Sequence, residues 1–113
     1  MATYSKVELS VLTDGVPLKI TPTGTAGETI HTAHATAQDE IWLWACNTAS
    51  ASRKLTVEFG GVAVDQNIVV NIPAETTVLV VPGWVLTNSK VMAAFASVAD
   101  VINVVGFVNR ITP

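Results

Sequence analysis

The segment EIWLWACN (residues 40–47) shows the pattern on which the fold depends. Successive side chains of a β-strand point to opposite faces of the sheet. Two sets of residues therefore alternate here: Ile41, Leu43 and Ala45 on one face, and Trp42, Trp44 and Cys46 on the other. Both faces are apolar, yet two packed sheets cover only the inner face of each strand. The segment thus predicts a strand with the core on one side and a neighbouring subunit on the other.

The composition also indicates that part of the surface is covered. The chain has 113 residues, of which 50% are apolar and 13% are charged. This length suits a single domain with one hydrophobic core. The charged fraction is well below the ~25% usual in soluble domains, so we expect other subunits to cover some of the surface. A neutral surface rich in Thr, Ser and Asn is the alternative explanation.

Alternation of apolar and polar residues with a period of two predicts strands along most of the chain. The clearest pattern is RKLTVEF (53–59), after which Gly60 and Gly61 fit a tight hairpin with 62–64 as the returning strand. Further strands are expected at 6–12, 17–20, 28–36, 40–47, 67–72, 77–81, 91–97 and 101–108. The last two would form a hairpin, and residues 82–89 a loop. A helix over 89–100 is the alternative to the strand at 91–97.

About nine or ten short strands at regular spacing are typical of sandwiches and barrels. The chain is therefore expected to be all-β, with a single-domain antiparallel β-sandwich or jelly-roll-like fold over residues 7–112. Residues 1–6 are polar, show no strong pattern and are expected to form an N-terminal arm.

Charge and hydropathy disfavour several classes of function. The net charge is −3 and the six basic residues are scattered, so no nucleic-acid partner is expected. No apolar run approaches the ~18–20 residues needed to span a bilayer, and no membrane partner is expected. The start MATYSKVELS lacks the pattern of a signal peptide. Cys46 is the only cysteine, which excludes an intrachain disulfide and suits a reducing cytosol.

No motif in the chain predicts catalysis or metal binding. His31 and His34 are three residues apart, a spacing that on a strand sends the imidazoles to opposite faces. We interpret them as ordinary polar side chains on an edge strand. Calcium between loop carboxylates such as Asp39 and Asp65 would lack EF-hand-like spacing, and Cys46 has no sign of an activating base. Catalytic, cofactor-binding and metal-binding residues are therefore predicted to be absent, and the chain is expected not to be an enzyme.

Large apolar side chains are the best candidates for contacts with other subunits. Tryptophan is favoured at interface hot spots because it buries a large area with few rotamers to restrict. The segment 101–108 repeats the feature of 40–47, since both of its faces are apolar. The predicted interface residues are Trp42, Trp44, Trp84, Met92 and Phe107.

Four motifs occur together along the chain: D-E, a hydrophobic strand and N-T (39–48), LTVEFGG (55–61), VPG (81–83) and GFVNRI (106–111). In this combination the chain resembles small virion structural proteins of tailed bacteriophages over most of residues 28–112. The resemblance implies a compact β domain that assembles on the virion and has no catalytic signature. The closest functional class within that group is the head decoration (cement) protein, which the length of the chain also matches.

The resemblance carries expectations about assembly and location. It implies a homo-oligomer, with a trimer favoured, that binds the major capsid protein and stabilises the head. The protein would be made in the host cytoplasm and would lie on the capsid surface of the virion. The N-terminal arm would run along the capsid, through Ala2, Thr3, Tyr4, Ser5 and Lys6.

Two alternatives remain open from the sequence. One is another virion position, as a tail, neck or fibre-base component. The other is a carbohydrate-binding β-sandwich module, in which Trp42, Trp44 and Trp84 would form a planar aromatic platform.

Overall fold

The computed structural model describes residues 2–113. Its elements are β1 (Thr3–Glu8), β2 (Leu18–Ile20), β3 (Glu28–Thr32), β4 (Gln38–Asn47), β5 (Arg53–Phe59), a 3₁₀ helix (Val64–Gln66), β6 (Asn67–Ile72), β7 (Thr76–Leu86), β8 (Val91–Ala96) and β9 (Ile102–Thr112). Within these residues there is no α-helix, and so no helix that could cross a membrane. The all-β fold expected from the sequence is confirmed.

The strands form two antiparallel sheets. Sheet A has the order β1-β9-β4-β7, with β2 also paired to β9, and sheet B has the order β3-β8-β5-β6. The pairings are nested, since β5 pairs with β6, β4 with β7, β3 with β8 and β2 with β9. An antiparallel ribbon that is folded over into two sheets gives this nesting, which is the arrangement of a jelly roll. The predicted antiparallel sandwich of jelly-roll type is therefore confirmed.

The core lies between the two sheets and is filled by alternate residues of each strand. The inward side chains of the central strands include Ile41, Leu43 and Ala45 on β4, Leu55 and Val57 on β5, Met92, Ala94 and Ala96 on β8, and Val104 and Val108 on β9. All of these are completely shielded from solvent. Burying a Leu, Ile or Val side chain contributes about 1.5–3 kcal/mol relative to leaving it exposed, so this layer holds the sheets together.

A buried carboxamide holds two connections against the end of β4. Asn47 is fully buried, and its Nδ2 donates to the carbonyl oxygens of Ala51 and Ile72 at 2.9 and 3.0 Å. Its Oδ1 accepts the N–H of Ala49 at 2.9 Å. A buried amide is tolerated only when such bonds are made. Asn47 therefore ties the β4–β5 connection and the end of β6 to the central strand.

Several segments differ in extent from the sequence expectations. β1 ends at Glu8, and the expected strand at 6–12 instead turns, with the N–H of Leu12 bonded to the carbonyl of Leu9. Residues 62–64 do not pair with β5, because a loop and the 3₁₀ helix precede the true returning strand β6. The turn after β1 brings Leu12 into the core beside Leu9, although strict alternation would place these two leucines on opposite faces.

The C-terminal half also departs from expectation. β7 continues through Pro82 to Leu86, where a loop was expected. Pro82 is tolerated because β7 is an edge strand, and an edge position needs no ladder bond from a proline nitrogen. The strand at 91–96 is confirmed, but β8 and β9 lie in opposite sheets and do not form the expected hairpin.

The N-terminal segment is part of sheet A rather than a separate arm. β1 pairs with β9 from Thr3 opposite Thr112 to Lys6 opposite Asn109. The backbone of residues 3–6 thus has partners within the domain, and the sandwich begins before residue 7. Met1, which was included in the expected arm, lies outside the described residues.

Gly106 lets β9 lie close to β4, and its replacement should destabilise the fold. A Cβ at this position would overlap the carbonyl oxygen of Trp42 and lie 2.9 Å from its carbonyl carbon. Because backbone atoms cannot move aside easily, we expect Gly106→Ala to lower the free energy of unfolding by about 1–3 kcal/mol. Urea denaturation measures this. Gly24→Ala is the matched control, since no atom of residues 2–113 lies within 4 Å of its added Cβ, its chain neighbours aside. Equal stability of the two variants would contradict the prediction.

Candidate functional site

The two faces of β4 have different environments. Ile41, Leu43 and Ala45 are the inward set and are fully buried in the core. Trp42 and Trp44 point to the outer face of sheet A and are only half-buried. The core therefore meets the face of β4 that carries Ile41, Leu43 and Ala45, and the tryptophans lie outside it.

Three aromatic rings pack together on this outer face, and we name them the aromatic cluster: Trp42, Trp44 and Phe107. Trp42 lies opposite Phe107 on the neighbouring strand β9. Ring centroids are 6.1–6.4 Å apart and the ring planes differ by 16–30°. Such pairs contribute about 0.5–1.5 kcal/mol beyond their buried area. The cluster is therefore an ordered, preformed apolar surface.

Polar side chains fix the rings at one end of the cluster. Trp42 Nε1 donates to Glu40 Oε1 at 2.8 Å, and Asn109 Nδ2 donates to the same oxygen at 3.2 Å. The bond from Trp42, followed by the bond from Asn109, lowers the pKa of the Glu40 carboxyl below its ordinary value. The Lys6 ammonium lies 4.7 Å from the centroid of the Phe107 ring, in the geometry of a cation–π contact. The cluster thus has a charged rim.

The neighbouring strand β7 is shaped to receive the indole of Trp42. Gly83 has a φ of +81°, and the β4–β7 pairing shifts register between Ile41 and Trp42. A Cβ on Gly83 would lie 2.7 Å from Cζ2 of the Trp42 ring. Glycine is needed here both for its backbone conformation and for the close approach of the ring.

The predicted interface residues separate into three groups. Trp42, Trp44 and Phe107 are brought together in the aromatic cluster. Trp84 is 42% exposed and makes an edge-on contact with Phe59 at 6.1 Å instead of joining the cluster. The prediction for Met92 is wrong, because its side chain points inward from β8 and is fully buried in the core. The planar platform of three tryptophans is therefore not formed.

Lys6, one of the predicted arm residues, contacts the cluster through the Phe107 ring. Tyr4 lies on the same strand face and is 72% exposed. Both belong to β1, which runs beside β9, and they extend the outer face of sheet A towards the edge. A neighbour seated on the aromatic cluster would meet these residues as well.

Part of the outer face of sheet B is covered by the chain itself. Residues 21–27, here called the strap, are held by Glu58, whose side chain is buried although it points outward from β5. Thr25 Oγ1 donates to Glu58 Oε2 at 2.8 Å, and the N–H of Gly27 donates to Oε1 at 2.7 Å. The cluster on sheet A has no comparable cover among residues 2–113.

A buried polar network lies at the end of sheet A that carries the rim residues Glu40 and Asn109. The side chains of His31 and Asp39 are buried, and His31 Nε2 donates to Asp39 Oδ2 at 2.7 Å. Arg110 bonds both oxygens of Asp39, at 2.8 and 3.0 Å. The N–H of Ser10 points at His31 Nδ1 at 3.0 Å, so this nitrogen is the acceptor and the ring proton lies on Nε2. The network joins the turn after β1 to β3, β4 and β9.

The order of Ser10, His31 and Asp39 resembles that of a serine nucleophile and its base. Ser10 Oγ lies 2.7 Å from His31 Nδ1 and also accepts the N–H of Thr32 at 3.0 Å. An acyl-transfer site needs free amide groups to stabilise the oxyanion. Here the amides of Ser10, Val11 and Leu12 are bonded to His31, Ile30 and Leu9. The arrangement fits a structural anchor, and its bonds hold the turn in place.

The interpretation of His31 as an ordinary edge-strand side chain is wrong. Its strand β3 is an edge strand, but the pairing with β8 shifts register between Thr29 and His31. The imidazole is therefore buried. Asp39, considered above as a calcium ligand, has both oxygens occupied by Arg110, His31 and the His34 amide. Among residues 2–113, no three His, Cys, Asp or Glu side chains are grouped so as to hold a metal ion.

Asp39 should make the stability of the protein depend on pH in the acidic range. Burial by itself raises the pKa of this carboxyl. The hydrogen bonds from Arg110, His31 and the His34 amide, with the charge of Arg110, outweigh burial and hold the pKa below its ordinary 3.8. The ionised group therefore stabilises the fold above pH 3.8, and this contribution is lost as the pH falls through the lower folded-state pKa.

Asp39→Asn tests this expectation. Breaking a buried pair should cost about 3 kcal/mol at pH 7, and the difference from the unsubstituted protein should narrow at low pH. Denaturant unfolding between pH 7 and the acid limit measures both effects. The control is Asp100→Asn, which removes an exposed partner 3.9 Å from Lys19 and should cost less than about 1 kcal/mol. Equal losses in the two variants would contradict the prediction.

No family model, curated protein or solved structure matches this chain. The jelly-roll fold by itself leaves several functions open, because viral capsid domains and lectins both use it. The surfaces described above are therefore the features from which a function can be inferred.

Proposed function

We propose that this chain is a structural, non-catalytic virion protein of a tailed bacteriophage. In this proposal it is a head decoration (cement) protein that forms a homo-oligomer, with a trimer favoured, and binds the major capsid protein on the capsid surface. The observation that carries the proposal is the aromatic cluster on the outer face of sheet A. The four motifs at 39–48, 55–61, 81–83 and 106–111 support the assignment to phage virions.

The composition of the cluster favours a protein partner. Interfaces are enriched in aromatic residues at their centres and depleted of charge there. Trp42, Trp44 and Phe107 form such a centre, with Lys6 and Glu40 at its rim. On sheet B the strap covers part of the outer face through its bonds to Glu58, whereas no segment among residues 2–113 covers the aromatic cluster in this way. The uncovered face is therefore our candidate for contacts between subunits.

The mechanism we propose is mechanical rather than chemical. Each copy would bury a modest area against its neighbours, and many copies act together on one shell. Because binding to the assembled state stabilises that state, and linked contacts add their effects, separation of capsomers becomes costlier with each copy bound. The exposed β1 residues Thr3, Tyr4, Ser5 and Lys6 would contact the capsid beside the cluster.

Truncation of Trp44 should weaken self-association without unfolding the protein. We expect the chain to be an oligomer at micromolar concentration. Loss of a hot-spot tryptophan should raise the dissociation constant at least about tenfold. Size-exclusion chromatography with light scattering, over a dilution series of Trp44→Ala, measures this. Trp84→Ala is the matched control, because it removes the same side chain outside the cluster.

Two results would contradict this assignment of the interface. The first is a clean monomer for the unsubstituted chain at high concentration. The second is an equal loss of association in Trp44→Ala and Trp84→Ala. A monomer whose glycan binding is lost in Trp42→Ala would favour the carbohydrate-binding alternative.

The position on the particle is the direct test of the virion assignment. In electron micrographs of the phage, gold-labelled antibodies against this chain should label the whole head surface. Cryo-electron microscopy of the same particles should show many copies at lattice positions of the shell. Labelling of a single vertex or of the tail would contradict decoration and favour a neck, tail or fibre-base component. Absence from purified virions would overturn the proposal.

A further inference from the structure

The free edge of β6 differs from every other sheet edge. The unpaired N–H and C=O groups of an edge strand can pair with a strand of another chain, and proteins usually prevent this with charges, prolines or bulges. In sheet A, β1 carries Lys6 and Glu8, β2 carries Lys19, and β7 contains Pro82. In sheet B, β3 carries Glu28 and a register shift. β6 reads NIVVNI, and it has no charge, no proline and no register shift in its pairing with β5.

The hydrogen bonds of β5 determine which residues of β6 point their N–H and C=O groups towards β5 and which point them to the free edge. Gly60 donates its N–H to Val91, and Ser97 donates to the carbonyl of Lys54, so even-numbered residues of this β5 segment face β8. The odd-numbered residues of β5 therefore face β6 and pair with its even-numbered residues, as Leu55 does with Val70.

The odd-numbered residues of β6 then direct their backbone groups to the free edge. The N–H of Asn67 is already bonded to Val64. The carbonyl of Asn67 and both polar groups of Val69 and Asn71 remain available. Val69 is also 55% exposed, so nothing in residues 2–113 shields the middle of this edge.

We propose that β6 of one copy pairs antiparallel with β6 of a second copy, with Val69 opposite Val69. The segment is nearly symmetric about this residue: Asn67 falls opposite Asn71, and Ile68 opposite Val70. All the free groups except the carbonyl of Asn71 then find a partner, because the N–H of Asn67 is already bonded to Val64. Two bonds join the Val69 residues, and the N–H of each Asn71 donates to the carbonyl of the opposite Asn67.

The same register completes the packing on both faces of the strand. Ile68 and Val70 point inward but are only partly buried at the edge of the core. Each would gain an apolar neighbour from the second copy, and cross-strand pairs of this kind stabilise sheets. On the outer face the two Val69 side chains pack together, and Asn67 of each copy lies opposite Asn71 of the other. The two B sheets become one continuous sheet of eight strands.

This contact is separate from the aromatic cluster. β6 is the edge of sheet B, whereas the cluster lies on the outer face of sheet A. The β6 pairing has two-fold symmetry, so it would link one oligomer to the next rather than close a trimer. It therefore goes beyond the proposed function, and a failure of one leaves the other standing.

Cysteine cross-linking tests the pairing directly. In a Cys46→Ser background, Val69→Cys would place two Cα atoms about 5.5 Å apart, within the range of a disulfide. Under mild oxidation we expect a covalent dimer to form at least about tenfold faster than with Val62→Cys. Val62 is the matched control, because it is the same residue type with the same 55% exposure, in a loop. Circular dichroism confirms that both variants are folded.

Cysteine variants at Asn67 and Asn71 test the register of the β6 pairing. Asn71→Cys alone should not cross-link, because its two copies lie four residues apart along the strand, roughly 13 Å. A mixture of Asn67→Cys and Asn71→Cys chains should cross-link to each other. Equal rates for Val69→Cys and Val62→Cys, or self-linking of Asn71→Cys with none of Val69→Cys, would overturn the proposal. The Val69→Cys rate should be unchanged when Trp44→Ala is added, which separates this contact from the aromatic cluster.

Discussion

The carboxylate of Asp39 and the carboxamide of Asn47 lie at opposite ends of β4, both on its inward face and both without exposure to solvent. Between them the inward side chains are Ile41, Leu43 and Ala45, and both edges of the strand are paired. Asp39 holds β3 and β9, and Asn47 holds the loops at the other end. Polar groups in these positions must keep their partners, so the register of β4 cannot slip by one residue. With the register set, the tryptophans can only face outward.

The outer faces of the two sheets differ in their side chains and in how the chain covers them. On sheet B the strap bonds to Glu58 and covers part of the outer face, while Val69 and Val91 stay exposed there. Sheet A has large rings outward, and a polar rim at Glu40, Asn109 and Lys6 supports them at one end. A contiguous apolar patch on a surface is typical of an interaction site, and a neighbouring molecule on the cluster would shield its rings from water. The proposal of a virion assembly protein depends on this asymmetry.

The sequence was most informative where the determinant is local. Alternation in EIWLWACN and RKLTVEF predicts strands because the side-chain period depends on the backbone alone. It could not tell that Met92 faces the core while Phe107 faces outward, since that depends on which strand lies behind each. The pairing of β8 with β5 and of β9 with β4 is likewise a long-range property. Ser10, His31, Asp39 and Arg110 come from four separate segments of the chain, so no local spacing signals their network. The turn after β1 and the strap were missed for the same reason.

The nested pairing of the strands determines at what stage of folding the aromatic cluster can form. β5 and β6 are neighbours in the chain, with Glu58 opposite Asn67, and closing so short a loop costs little entropy. β9 lies between β1 and β4, and its residues pair with partners from the opposite end of the chain, such as Ile20 with Ile102. β4 and β7 can pair without β9, but β1 and β2 join sheet A only when β9 is in place. Because Phe107 belongs to β9, the aromatic cluster is complete only in a finished domain, and an incompletely folded copy has no such surface to offer to an assembly.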